Sequence, residues 1–337
     1  MSNGVTLTTM TGDHRSDTVL RHVVGAFLDA FPGRMRGCYV DGSGADGTLR
    51  ATSDLDVTVV VADRFTDAAE QERGNALARR LAMECPIELD LKIRDEADLA
   101  RGVFPAFKTG SLCVWGEDIR ARVPLLSIGA WTRDRMHSSY YRLGTLFGRQ
   151  PVVRSSLDYP DPDGEFFGYD HRTIRLPDGT EVPSTRDLIR ATGWAATALI
   201  AHCANRYVDR KSACHVIYRA CFNDEWGDLL AAIYHRCRNE WEYRIPESAE
   251  GRAEIRAICA RTLAFENHFL SIYTPFLIAE LHEGDPARKA FALWMLGRIV
   301  YRDDPVIDAI RALAEDSDAG VRAAAVHAIR QAEQVAW

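Results

Sequence analysis

Residues 39–61 decide the fold of the N-terminal part of the chain, and they read Tyr-Val-Asp-Gly-Ser-Gly-Ala-Asp-Gly-Thr-Leu-Arg-Ala-Thr-Ser-Asp-Leu-Asp-Val-Thr-Val-Val-Val. An apolar strand ends at Gly42-Ser43, and ten residues later Asp54-Leu55-Asp56 opens a β-branched run. Residues two apart on a strand share a face, so the carboxylates of Asp54 and Asp56 should lie side by side. Two neighbouring carboxylates repel each other, and a hard divalent cation such as Mg²⁺ relieves that repulsion.

A third carboxylate is expected on the next strand, predicted over residues 87–93. That strand alternates polar and apolar residues, which places Asp90 on the same face as Glu88 and Lys92. Asp90 is the candidate third member of the acidic group, and Glu88 is its rival on that face.

The order Gly-Ser, about ten residues, Asp-x-Asp and a later acidic strand residue resembles the signature of the nucleotidyltransferase superfamily that includes DNA polymerase β and kanamycin nucleotidyltransferase. The resemblance covers roughly residues 20–120. It implies that Asp54, Asp56 and Asp90 are catalytic and bind two Mg²⁺ ions about 3.5–4 Å apart. It also implies that Gly42 and Ser43 bind the β- and γ-phosphates of a nucleotide.

A looser similarity to small-molecule nucleotidyltransferases lies at residues 206–213, Arg-Tyr-Val-Asp-Arg-Lys-Ser-Ala. In those enzymes a comparable segment of the helical domain closes over the triphosphate. The resemblance implies that Lys211 contacts a phosphate and that Arg206 is a weaker candidate for the same role; a solvated helix end is the alternative. The general base could be Asp90 or a glutamate from the helical half. In that half Glu240, Glu242 and Glu266 could supply an acceptor-binding carboxylate, and surface charge on a helix is the alternative.

A second motif in the opening stretch competes with this interpretation. Residues 42–47 also fit the G-x-G-x-x-G pattern of dinucleotide-binding folds. Such a fold needs a crossover helix of about a dozen residues before the next parallel strand. Seven residues separate Gly47 from Leu55, which excludes a dinucleotide-binding loop.

The pattern along the chain predicts an α+β fold, with an N-terminal mixed sheet and flanking helices followed by an all-α C-terminal domain. The resemblance implies that the N-terminal part is a nucleotidyltransferase domain. Predicted strands span 35–40, 54–61, 87–93 and 112–115, with a loop over 41–53. Predicted helices span 16–30, with Ser16 or Asp17 as the N-cap, then 67–83, 96–101, 131–147, 185–204, 209–222, 225–239 and 251–282. The expected organisation is a catalytic domain 1–125, a linker helix and β-hairpin flap 126–184, a helical substrate- and nucleotide-binding domain 185–284, and a tail 285–337.

The tail contains an internal repeat. Residues 285–290 and 318–324 share an acidic start, an arginine and an alanine stripe at a period of about 34 residues. This pattern resembles HEAT-type helical repeats. Because two units are too few for a free solenoid, they should pack on the preceding helices.

Composition limits the classes of function. The chain has 337 residues and a formal net charge of −7, and this negative charge disfavours a general nucleic-acid binder. No run of eighteen apolar residues occurs, and the N-terminus lacks the pattern of a signal peptide. The eight scattered cysteines have no C-x-x-C spacing, which favours reduced thiols and a cytoplasmic protein.

These observations together predict an enzyme that uses Mg²⁺ to transfer a nucleoside monophosphate from an NTP, with ATP preferred, to a hydroxyl of a small acceptor. An aminoglycoside-like acceptor would make the reaction an antibiotic modification. A toxin-like transferase acting on tRNA or protein is a second hypothesis. The third is a nucleotide-sensing binding protein whose HEAT-like tail binds a partner.

Overall fold

The computed structural model describes residues 4–50, 52–149, 152–154, 156–176 and 178–334. The chain divides into two compact units. The first comprises Met1–Trp131 together with Tyr207–Cys214, and the second comprises Thr132–Arg206 and His215–Trp337.

The first unit contains a sheet with helices on both faces. In chain order its elements are α1 (His14–Ala30), β1 (Met35–Asp41), α2 (Gly42–Ala45), β2 (Leu55–Val61), α3 (Ala68–Glu84), β3 (Leu89–Asp95), α4 (Glu96–Leu99), α5 (Pro105–Gly110) and β4 (Leu112–Gly116). A 3₁₀ turn, Lys211–Ala213, joins them from the later part of the chain.

The sheet has the order β3-β2-β1-β4. Strand β1 pairs antiparallel with both β2 and β4, whereas β2 and β3 pair in parallel. The parallel pair is joined through α3, as a parallel connection requires. The predicted mixed sheet is therefore confirmed.

Alternation along β2 gives the sheet two different faces. Leu55, Val57, Val59 and Val61 pack into a core with α1 and α3. Val60 points the other way, into a smaller core that also contains Tyr39, Leu99, Val103, Phe107 and Cys113. Asp56 has the same parity as Val60, so it lies at the end of the strand on this second face.

Several local predictions differ from the structure. The N-cap of α1 is Asp13, whose Oδ2 accepts a hydrogen bond from the backbone N–H of Ser16 at 2.8 Å. Ser16 and Asp17, the predicted caps, lie in the first turn instead. Part of the predicted loop 41–53 forms α2, and α5 was not predicted at all. Strand β3 begins two residues later than expected, so Glu88 precedes it.

The second unit is mainly helical. Its elements are α6 (Ile128–Thr145), β5 (Val152–Arg154), β6 (Thr173–Arg175), β7 (Glu181–Pro183), α7 (Arg186–Ala204), α8 (Cys214–Phe222), α9 (Glu225–Ala232), a π-helix (Ile233–Glu240), α10 (Ala249–Glu283), α11 (Pro286–Arg298), β8 (Val300–Arg302), α12 (Asp304–Ala312) and α13 (Ala319–Gln334). The predicted hairpin is present as the β6–β7 pair, although residue 177 in its turn lies outside the described residues. The predicted helix 209–222 begins as the 3₁₀ turn and continues as α8.

The C-terminal repeat is present and packs as expected. Asp285 caps α11 by accepting a hydrogen bond from the N–H of Arg288, and Asp318 accepts one from the N–H of Val321 in the first turn of α13. Helices α11 and α13 pack on each other, and α11 and α12 pack on α10. Strand β8 also pairs in parallel with β5, which ties the tail to the flap.

The described part of the chain contains no helix that is both long enough and apolar enough to cross a membrane.

A buried histidine lies in the aromatic core of the second unit. The Nδ1 atom of His137 is 2.9 Å from the hydroxyl of Tyr273, and its ring contacts Phe276 and Phe291 at steep angles. Burial, together with the positive charge of Arg133, lowers the pKa of His137 to about 3. The native state therefore holds this imidazole neutral over the range in which an unfolded histidine becomes protonated.

His137 should make stability depend on pH. Because its pKa is lower in the folded state, its contribution is complete above about pH 6.5 and is lost as pH falls towards 3. We expect His137 to reduce the free energy of unfolding by about 2 kcal/mol between pH 7 and pH 5. Urea unfolding at several pH values measures this loss. His137→Phe should reduce the pH slope, while His282→Asn, at an exposed position of α10, should not; equal slopes for both variants would contradict the assignment.

Candidate active site

The strand register brings three aspartates into one row. In the strand register, Asp41 at the end of β1 lies opposite Asp56 on β2, and Asp56 lies opposite Asp90 on β3. Residues paired across neighbouring strands have their side chains on the same face. Asp41, Asp56 and Asp90, here called the carboxylate row, therefore lie side by side, and Asp54 precedes β2 by one residue.

Gly42 brings the backbone directly against this row. Its φ is +62°, a conformation that glycine adopts without the steric penalty of other residues. A Cβ atom at this position would lie 3.0 Å from Oδ2 of Asp56. The turn that begins with Gly42-Ser43 can therefore approach the Asp56 carboxylate only because residue 42 has no side chain.

A segment distant in sequence provides a cation. Tyr207–Cys214, here called the return segment, belongs to the first unit. The Nζ atom of Lys211 lies 3.7 Å from Oδ2 of Asp56. The Lys211 side chain is 75% exposed and that of Asp56 only 18%, so the cation lies on the solvent side of the carboxylate. The structure thus places the predicted Lys211 beside the predicted Asp56.

Side chains on both flanks hold the return segment in place. Arg210 forms an ion pair with Asp46 at 3.0 Å, and the hydroxyl of Ser212 donates to the same carboxylate at 2.9 Å. The hydroxyl of Thr109 donates to Asp209 at 3.2 Å. Gly110 allows this approach, because a Cβ there would lie 2.6 Å from the carbonyl oxygen of Asp209. The position of Lys211 is therefore fixed by its neighbours rather than by its own flexible side chain.

Asp90 has a different partner. Lys92, two residues further along β3, donates a hydrogen bond to Asp90 at 2.8 Å, and both side chains are about half exposed. Burial alone would lower the pKa of Lys92, but the hydrogen bond and charge of Asp90, with smaller effects of Asp56 and Asp41, raise it. Lys92 and Lys211 together partly compensate the negative charge of the row.

The compensation is incomplete at the centre of the row. Burial raises the pKa of Asp56, and the charge of Asp54 raises it further against the opposing effect of Lys211. Burial and the Asp56 charge raise the pKa of Asp41 to about 6. Each shift has the sign expected when a carboxylate is removed from water beside another carboxylate.

Asp41 did not stand out in the sequence. It follows an apolar strand and precedes the Gly-Ser pair, so it resembles an ordinary turn residue. The available signal was its strand position, since an antiparallel hairpin centred on the 42–54 loop pairs it with Asp56. Recognising Asp41 therefore requires the register of β1 against β2, which the geometry of the loop between them sets.

The remaining candidate residues belong to the second unit. Arg206 is exposed there, whereas Lys211 belongs to the first unit. Glu266 is buried, pairs with Arg149 at 2.7 Å and accepts a hydrogen bond from Tyr169 at 2.8 Å, which is a structural role. Glu240 pairs with Arg236 in the π-helix. The buried and paired Glu266 is not open to an acceptor, whereas the Glu240 side chain is 52% exposed.

Carboxylate oxygens are the donors that Mg²⁺ prefers, and the centre of the row fits such an ion. The Oδ1 atom of Asp41 is buried and has no hydrogen-bond partner among the described residues. A bound cation would also relieve the repulsion that raises the pKa values of Asp41 and Asp56. Within the described ranges, however, no three His, Cys, Asp or Glu side chains are grouped closely enough to form a preformed metal site.

Comparison with known proteins gives two findings, and no curated protein matches the sequence. A family model of HEAT repeats matches residues 274–335, which confirms the predicted HEAT-like C-terminus. The fold is similar to the crystal structure of spectinomycin adenyltransferase AAD(9) from Enterococcus faecialis with ATP and spectinomycin. That alignment covers 76% of this chain and 99% of the other, with 12% identity and a TM-score of 0.47.

At 12% identity and a TM-score of 0.47, the likeness says nothing about which reaction this chain performs. The features of this chain that bear on its activity are the carboxylate row, the Gly42-Ser43 turn and Lys211.

The close approach of Gly42 to Asp56 can be tested against a second glycine with nearly the same backbone angle. Gly47 has φ +64°, and a Cβ atom there would meet no atom of the described residues within 4 Å beyond its immediate neighbours. Gly47→Ala should lower the free energy of unfolding by about 1 kcal/mol through backbone strain alone. Gly42→Ala should lower it further, because the new methyl group also displaces the Asp56 carboxylate. Equal losses in urea unfolding would show that Asp56 moves aside without cost.

Proposed function

We propose that this protein is a Mg²⁺-dependent nucleotidyltransferase that transfers a nucleoside monophosphate, AMP from ATP, to a hydroxyl group of a small acceptor such as an aminoglycoside, with release of pyrophosphate. The observation that supports this most directly is the meeting of Asp56, Gly42 and Lys211. It combines a buried carboxylate, a backbone turn that approaches it and an exposed cation in one place.

In this proposal the carboxylates of Asp54, Asp56 and Asp90 hold the metal, with Asp41 as an additional neighbour. When bound, Mg²⁺ would polarise the reacting phosphate and neutralise the negative charge that develops on it. The chain's own contribution is positioning, because strand pairing fixes Asp56 between Asp41 and Asp90. Rigid placement of charge accounts for much of the rate enhancement in phosphoryl-type transfers.

The nucleotide phosphates would lie between the Gly42-Ser43 turn and Lys211. The Lys211 ammonium is largely exposed and only loosely paired at 3.7 Å, so it can turn from Asp56 to a phosphate oxygen. Its anchored neighbours Arg210 and Ser212 would keep it above the row. Arg206, exposed in the second unit, remains the weaker candidate for a phosphate contact.

Asp90 is the proposed acceptor of the proton from the attacking hydroxyl. It lies at the edge of the row, is half exposed and is held by Lys92. An acceptor can therefore reach it from solvent, which is not true of the buried Glu266.

A small acceptor is favoured by the net charge of −7, which opposes the phosphate backbone of tRNA. The HEAT repeats at residues 274–335 support the other hypothesis, a nucleotide-sensing protein that binds a partner through its tail. An acceptor panel containing aminoglycosides, tRNA and protein, each with α-labelled ATP, distinguishes these possibilities. Binding of Mg²⁺–ATP without transfer to any acceptor would favour the sensor.

Asp56→Asn should separate activity from stability. Removing the metal-binding charge should reduce kcat by about 1000-fold or more, since each 1.4 kcal/mol of lost transition-state stabilisation corresponds to a factor of about ten. The same change relieves repulsion within the row, so the free energy of unfolding should be unchanged or higher. Label transfer and urea unfolding measure the two quantities.

Asp29→Asn, at an exposed position of α1, is the matched control and should alter neither quantity. Asp56→Asn that keeps more than a tenth of the wild-type kcat would refute the proposed metal site.

Lys211→Met should mainly affect nucleotide binding. Loss of a charged hydrogen bond to phosphate costs about 1.5–3 kcal/mol, so the KM for ATP should rise at least tenfold. Arg206→Met should change it less than twofold. Steady-state kinetics with varied ATP distinguishes the roles of the lysine and the arginine; the reverse order of effects would assign the phosphate contact to Arg206.

A further inference from the structure

The second unit contains a cluster of cationic and aromatic side chains that the proposed reaction does not use. Arg135 and Arg142 lie seven residues apart on α6, and Arg190 and Trp194 lie four residues apart on α7. Both spacings place the two side chains on one face of their helix. We call these four residues the arginine–tryptophan cluster.

Two guanidinium groups stack on one indole ring. The Cζ atom of Arg142 lies 3.7 Å from the centroid of the Trp194 ring, and that of Arg135 lies 4.1 Å from it. Stacking fixes the planes of both guanidinium groups. Arg135 donates hydrogen bonds to Asp134, whereas no described carboxylate engages the N–H groups of Arg142. The stacking therefore fixes the orientation of the Arg142 N–H groups and leaves them able to donate hydrogen bonds.

The carboxylates nearby are already paired. Asp134 pairs with Arg135, and Asp187 lies 3.2 Å from Arg190 and 3.5 Å from Arg172. Among the described residues no carboxylate lies within ion-pair distance of Arg142, which instead stacks on Trp194. Arg142 therefore lies beside two engaged carboxylates without an ion pair of its own in the described part of the chain.

The uncompensated charge affects Arg142. Burial lowers its pKa to about 10, and the positive charges of Arg190 and Arg135 contribute to the same shift. A guanidinium that is half buried beside two others is destabilised unless an anion joins it. Arg142 is only partly buried and the Arg190 side chain is 36% exposed, so a solute can reach both.

We propose that Arg142, Arg190 and Trp194 form a binding site for a small molecule that carries a phosphate or carboxylate group. The anion would accept hydrogen bonds from the Arg142 guanidinium, whose planar edge matches two oxygens of either group. Arg190 would supply a second positive charge while it stays paired with Asp187. The indole of Trp194 holds Arg142 in position and presents its own edge to the ligand.

The site lies wholly within the second unit and is independent of the proposed transfer reaction. Its ligand chemistry is opposite in charge to a polycationic aminoglycoside. The competing explanation is a purely structural role, in which the stacked arginines join α6 to α7. The two explanations predict different changes in the Tm of Arg142→Met.

The test measures binding of inorganic pyrophosphate and of citrate to the full-length protein by titration calorimetry and thermal unfolding, at constant ionic strength set with NaCl. We expect at least one of the two to bind and to raise Tm. Arg142→Met should raise its Kd at least tenfold. The pyrophosphate and citrate arms distinguish a phosphate ligand from a carboxylate ligand.

Two control variants locate the bound anion. Lys211→Met should leave the Kd for citrate unchanged, and that for pyrophosphate unchanged in Mg²⁺-free buffer, where the proposed nucleotide site lacks its metal; if Lys211→Met alone abolishes binding, the proposal is overturned. Arg311→Met, at an exposed position of α12, should also leave the Kd unchanged. If the anion changes the tryptophan fluorescence of the protein, the contribution of Trp194 to that change should be absent in Trp194→Phe.

The Tm of the Arg142→Met variant without ligand distinguishes a binding role of the cluster from a structural one. Methionine can still lie on the indole ring, so loss of the repelled charge in Arg142→Met should leave Tm unchanged or raise it. A Tm lowered by several degrees, or no binding of either anion by the wild type, would show that the cluster is structural and would overturn the proposal.

Discussion

The carboxylate of Asp56, whose side chain is only 18% exposed, is the constraint around which the candidate site of the first unit is arranged. It lies between two other aspartates, because β1 pairs with one edge of β2 and β3 with the other. Burying negative charge beside negative charge is unfavourable, and the structure opposes it with Lys211 from a distant segment and Lys92 from the next strand. Native proteins keep such an arrangement where function requires it, which favours a catalytic over a structural interpretation of the site.

Much of this arrangement follows from local sequence patterns. Alternation of polar and apolar residues was sufficient to place Asp56 and Asp90 on strands, and the mixed sheet was expected from this pattern together with the family resemblance. Asp54 and Asp56 were expected to lie side by side at the start of β2. Asp56 lies in β2 as predicted, and Asp54 directly precedes the strand. The repeated acidic caps of the tail likewise predicted α11 and α13, because Asp285 and Asp318 bond to backbone N–H groups in the first turn.

What could not be predicted depends on pairing between distant residues. Asp41 becomes part of the row only through its register with Asp56, which the turn geometry sets. Lys211 was predicted from a loose motif. Its position beside Asp56, however, depends on the contacts of Arg210 and Ser212 with Asp46, which lies far earlier in the chain. Glu266 looked like an exposed helical charge, yet Arg149 and Tyr169 compensate it in the core of the helical unit. Each case requires the tertiary fold before the partner is known.

The return segment has a consequence for biosynthesis. The first unit includes residues from Met1–Trp131 and from Tyr207–Cys214, so it is discontinuous along the chain. During translation its sheet can form early, but the pairing of Lys211 with Asp56 has to wait until the intervening part of the second unit has left the ribosome. In that interval the acidic row is exposed without one of its counter-charges. At typical synthesis rates of about 5–20 residues per second, the delay is on the order of several seconds.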